Sequence, residues 1–189
     1  MLIFLLIFPS CASTRYITHT EKSGVEQLLI AKAVDEALQG ATLNIQGSKI
    51  FIDVSSLVSK EEPYLRKSLS HWFLKNGARL TEYKMEADMI ASILVKSAGT
   101  DGNQFSLGLP SIPIPVVNVA TPQISLVSGS TQKGYAEMEV ILYSPEEGIK
   151  GKLGPLVGRT HFNNYLIIFI PFSDENIYPI LGVQEESAQ

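Results

Sequence analysis

Seven consecutive apolar residues, Leu2 to Phe8, lead through Pro9 and Ser10 to Cys11, and no other cysteine occurs in the 189-residue chain. With one thiol, no disulfide can close within the chain, so burial alone must hold the fold. The apolar run is far shorter than the ~20 residues a helix needs to cross a bilayer. It has the length of the apolar segment of a secretory signal, about 7–15 residues. A hydrophobic fraction of 45% and a charged fraction of 18% suit a folded globule rather than a disordered chain. The net charge of −4 includes no basic stripe, which argues against a nucleic-acid partner.

Beyond residue 11 the periodicities set out the elements. Residues 13–23 are rich in Ser and Thr with no apolar period and read as a tether. Residues 24–39 carry Val25, Leu28, Leu29, Ala33, Val34, Ala37 and Leu38 at helical spacing, with Gly40 as a stop. Asp35 and Glu36 fall off that stripe and read as a solvated face. Residues 49–54 form a near-continuous apolar strand, expected to be buried on both faces, with Asp53 near its C-terminal end. Residues 62–76 read as the strongest helix: Pro63 suits its first turn, and Leu65, Leu69, Trp72 and Phe73 share one face. His71 lies on its flank. Strands are expected at 78–83 and 89–96, with a turn at Glu86-Ala87-Asp88 between them.

The second half reads as loop-rich. Thr100-Asp101-Gly102-Asn103 is turn chemistry, and Pro110, Pro113 and Pro115 punctuate an apolar stretch over 107–117. The pattern predicts a long proline-rich loop. Its Leu107, Leu109, Ile112, Ile114, Val116 and Val117 are candidate contacts for a protein partner. A hairpin is expected from strands 123–131 and 135–143 around Gln132-Lys133-Gly134, then a turn at 144–148. Gly148, Gly151, Gly154, Pro155 and Gly158 suggest a further loop, residues 165–172 a buried strand, and the remainder an acidic tail. Together these predict an α/β (α+β) fold: a mixed, mainly antiparallel sheet with two helices packed on it. The expected organisation is a leader over 1–10, a tether over 11–23, one globular domain over 24–173 and a tail over 174–189.

Residues arranged for catalysis are not evident. The chain has no GxSxG, HExxH, CxxC or GxGxxG motif, and His19, His71 and His161 are scattered. The expectation is a protein that is not an enzyme and needs no metal or cofactor. Asp53, Arg159 and His161 are the ligand candidates: Asp53 at a sheet edge, Arg159 and His161 for an anion.

Phe8-Pro9-Ser10-Cys11 resembles the lipobox of bacterial lipoproteins, with Phe8 and Pro9 standing where Leu and a small residue are more usual. The resemblance implies cleavage before Cys11, acylation of its thiol and its new amino terminus, and stable membrane attachment. Ala12 rather than Asp follows, which by the same resemblance points to the outer membrane. The chain as a whole is similar to a family of uncharacterised putative bacterial lipoproteins, a domain of unknown function. The stretches that carry this are Glu26-Gln27-Leu28-Leu29, Ala33-Val34-Asp35, Gly77-Ala78, Glu86-Ala87-Asp88, the proline run over 109–115, Thr121-Pro122 and Val157-Gly158-Arg159-Thr160. The implied role is binding or scaffolding at the periplasmic side of the envelope, with a membrane and an envelope protein as partners. The alternative is a periplasmic hydrolase or small-ligand binder built on Asp53 with Arg159 or His161.

Overall fold

A computed structural model of the chain describes residues 12–14, 22–57, 60–109, 113–114, 119–120 and 124–177. Cys11 and the leader lie outside these, as do Ile112, Val116, Val117 and the tail from residue 178. The elements in order are β1 (Ala12–Thr14), α1 (Gly24–Leu38), β2 (Lys49–Ser56), α2 (Glu62–Lys75), β3 (Arg79–Thr81), a single 3-10 turn (Lys84–Glu86), β4 (Met89–Leu109), β5 (Pro113–Ile114), β6 (Val119–Ala120), β7 (Ile124–Ser144), β8 (Gly148–Ile167) and β9 (Ile170–Glu175). The sheet order is β3-β2-β4-β7-β8-β9, with β1 paired to β4, while β5 and β6 form a separate ladder. Pairing of β2 with β3 and with β4 is parallel; β1–β4 and β8–β9 are antiparallel. The expected α+β class, a mixed and mainly antiparallel sheet with two helices, is what the chain adopts.

The chain divides into two compact units. The first spans Lys22–Thr100 and Lys133–Thr160. Its sheet order is β3-β2-β4-β7-β8, with both helices on one face. Helix α1 begins at a capping box: the Glu26 N–H donates to Ser23 Oγ, and the Ser23 N–H donates to Glu26 Oε2. It buries Leu29, Ile30, Ala33, Val34, Ala37 and Leu38, while Leu28 is exposed. Helix α2 buries Leu65, Leu69 and Phe73; Trp72 sits half-buried, edge-on to Phe73 at 5.0 Å. Beneath them lie Ile50, Ile52 and Val54 of β2, Ala91, Ile93 and Val95 of β4, and Ala136, Met138, Val140 and Leu142 of β7. Strand β2 is therefore buried on one face only, since Asp53 points to solvent. The apolar run suggested two-sided burial, but both helices pack on one side of the sheet.

The two glycines that seemed to mark loops serve this helix instead. A Cβ on Gly158 would stand 1.8 Å from the Ala33 carbonyl oxygen, and one on Gly134 would stand 2.6 Å from the Leu29 oxygen. They are bare so that α1 can lie directly on β7 and β8. Between them, Thr160 Oγ1 donates to the Leu29 oxygen at 2.8 Å. Lys133-Gly134 is thus no turn, and 148–158 is no loop. Strands β7 and β8 run straight through both places. Thr100-Asp101-Gly102-Asn103 likewise continues β4, because pairing along the strand outweighs the local turn preference.

The second unit includes Asp101–Gln132 and the chain from His161 onward. Within it the strand order is β1-β4-β7-β8-β9. Ala12–Thr14, expected in the tether, pair with Gln104 to Ser106 of β4. Strand β9 carries regular structure past 173, into the expected tail, and Ile177 beyond it is buried. The proline-rich stretch is not one irregular loop: Leu107 and Leu109 end β4, and Pro113–Ile114 pairs with Val119–Ala120.

Candidate functional site

Asp53 and Arg159 do not converge. Asp53 on β2 and Arg159 on β8 are separated by β4 and β7. Three strand spacings amount to roughly 14 Å. The Arg159 backbone N–H donates to Glu36 Oε2 at 3.3 Å, which ties β8 to α1. His161 belongs to the second unit; its Nε2 lies 3.3 Å from Asp174 Oδ2 on the facing strand. Its N–H donates to Asn176 Oδ1 at 2.7 Å. The contacts of His161 are strand-pairing ones. Among the described residues, no three His, Cys, Asp or Glu side chains are grouped to hold a metal ion.

Two other features are built by the fold. In the first unit a groove of about 700 Å³ runs between α1 and α2, bordered by Lys32, Asp35, Glu36, His71, Trp72 and Lys75. Both signs of charge line it. None of Asp53, Arg159 and His161 borders it. Beside Trp72 it gathers Asp35, Glu36 and His71, which helical periodicity assigns to flanks, and only the packing of one helix beside the other brings them together.

The second feature is the hairpin that closes β8 onto β9. Residues 165–172 were expected to be one buried strand. Instead the chain reverses within them: Tyr165 pairs with Phe172, Leu166 with Pro171 and Ile167 with Ile170. The two turn residues, Ile168 and Phe169, have φ of 47° and 68°. Such left-handed pairs normally take Asn-Gly or Gly-Gly, and a β-branched residue there is an outlier. Each costs on the order of 1–3 kcal/mol. The reversal escapes the sequence because neither Gly nor Asn stands at its two turn positions. What holds it is the six-pair ladder, the Tyr165–Phe172 ring stack at 5.1 Å, and an Ile168 N–H that donates to the Leu126 oxygen at 2.8 Å. The turn is laid open: Ile168 is 65% exposed, Phe169 69% and Ile170 69%.

The hairpin turn lies at one apolar end of the second unit. Leu126 receives its hydrogen bond near the start of β7, and the next residue back, Ser125, meets Ser106 of β4, Oγ to Oγ, at 2.8 Å. Leu107, Leu109, Ile124 and Leu126 are all exposed there. Ala12 stands opposite Ser106 in an antiparallel register, so the N-terminal end of β1 points toward Leu107. Of the candidate partner contacts, Leu107 and Leu109 belong to this end, and Ile114 lies in β5.

No protein-family model matches the chain, and no curated protein sequence matches it.

Proposed function

We propose that this chain is a lipid-anchored protein of the bacterial envelope, facing the periplasm from the outer membrane. Its role is binding or scaffolding rather than catalysis, and it calls for no cofactor. The observation that carries the reading is the apolar run ending at Cys11, one residue ahead of β1. The register of β1 supports it, because the chain leaves that strand on the side of Leu107, Leu109 and Ile124. An apolar end of that kind suits a protein held at lipid, where its burial is favourable rather than costly. In this reading Leu107 and Leu109, with the proline run that follows them, also meet an envelope protein. The hydrolase alternative finds less support, since β4 and β7 stand between Asp53 and Arg159.

Metabolic labelling with a fatty acid in a bacterial host tests the anchor. The wild-type chain is expected to take the label and float with membranes, and Cys11→Ser to lose both. Label that persists on Cys11→Ser overturns the reading.

A further inference from the structure

We infer that the β8–β9 turn is a lipid-inserting tip: Ile168, Phe169 and Ile170 enter the acyl boundary of a bilayer as a second membrane contact. The inference takes from the proposed function only that a bilayer lies within reach. Four observations point to lipid rather than to a protein groove. First, the tip is apolar all round. A hairpin that docks on a protein alternates an apolar with a polar face, because successive side chains point to opposite sides. Here residues 165–172 are Tyr, Leu, Ile, Ile, Phe, Ile, Pro and Phe without a break. Second, no charged side chain occurs between His161 and Asp174, and those two pair with each other at the foot of the hairpin. Third, the ladder pairs the facing backbone groups of β8 and β9, and the Ile168 N–H is taken by Leu126. That lowers the cost of bringing this backbone to the lipid boundary. Fourth, the turn opens at the same end of the second unit as the Ala12 end of β1.

The dimensions fit one leaflet. Four residues of strand, 165–168, reach about 13 Å, short of the roughly 15 Å of half a hydrocarbon core. Tyr165 and Phe172, stacked at 5.1 Å, then lie at headgroup depth, where amphipathic rings are enriched. Asp174 and Glu175 follow immediately, so attraction to anionic headgroups adds nothing. The tip is expected to enter zwitterionic lipid and to be little affected by salt.

The left-handed pair supplies the discriminating variant. Ile168→Asn with Phe169→Gly installs the residues this turn geometry favours while removing the apolar tip. In the full-length Cys11→Ser chain, the double change is expected to raise the unfolding midpoint and to lower partition into phosphatidylcholine vesicles about tenfold. In the acylated chain on vesicles of dibrominated phosphatidylcholine, Phe169→Trp is expected to show indole quenching that the native Trp72 does not show. A Phe169→Trp indole left unquenched on vesicle-bound chain overturns the tip and leaves the anchor standing. Partition unchanged by the double variant also overturns it. So does an indole shielded from iodide by envelope protein but not by lipid, which would assign the tip to a protein. Failure of acylation at Cys11 alone, with quenching retained in the added full-length chain, overturns the anchor and upholds the tip.

Discussion

Lys96 shows what a single strand residue contributes on the open face of the first unit. Its Nζ lies 2.6 Å from Glu139 Oε1 and 3.3 Å from Glu137 Oε1, across from β4 to β7. The hydrogen bond to Glu139, then the one to Glu137, raises the Lys96 pKa, and the bond from Lys96 lowers that of Glu139. A lowered carboxylate stabilises the fold above the ordinary glutamate range and loses this as pH falls through its own value. A raised lysine stabilises below the ordinary lysine range and loses this as pH rises through its own value. The bridge is therefore complete across neutral pH. Because all three side chains are solvent-accessible, salt screens it. A carbon-detected NMR titration of Glu139 is expected to give a midpoint below that of an ordinary glutamate. Lys96→Met should move the midpoint back up. Ala136, Met138, Val140 and Leu142 alternate with Glu137 and Glu139 in the sequence, and the apolar four are buried. The partner of those glutamates was not legible there, because Lys96 is about 40 residues away and pairs only through strand order.

At the scale of elements, the glycines divide the legible from the illegible. Gly40 follows α1 with a φ of 79°, as a helix stop should. Gly148 closes the turn after β7 with a φ of 81°. Gly134 and Gly158 carry the same letter and do something else: they admit the backbone of α1. Sequence alone cannot separate these uses, since both ask only for a missing Cβ. Gly158→Ala is expected to push α1 off β8 and cost about 3 kcal/mol, read as a lower midpoint in chemical denaturation with the slope unchanged. Both helices were readable to within a residue or two, because caps and a 3.6-residue period are local. The long strands were not. Strands β4, β7 and β8 pass through polar and glycine-containing stretches that only neighbouring strands hold extended. The β8–β9 reversal shows the opposite error, an apolar run read as one strand although its register turns it back.

For the whole molecule, burial is unevenly shared between the two units. The core of helices and strands belongs to Lys22–Thr100 and Lys133–Thr160. In the other unit Phe105, Leu107, Leu109, Ile124 and Leu126 are exposed. Local opening is governed by how much buried apolar surface must be uncovered. In hydrogen exchange the amides of Ile93, Val95, Met138 and Val140 are expected to be the slowest. Those of Phe105, Leu107 and Leu126 should exchange at least about a hundredfold faster. Equal protection in both sets would show that the second unit draws stability from another source. By itself the sequence determined the fold class, the two helices with their ends and the inward face of β7. Each of these rests on near neighbours in the chain. Only the tertiary structure decided where strands continue, why Gly158 is bare, that Asp53 and Arg159 stay apart, and that the apolar run over 165–172 turns outward. Those outcomes are set by pairing between distant segments, and the free energy of such pairing is written in no single stretch of the chain.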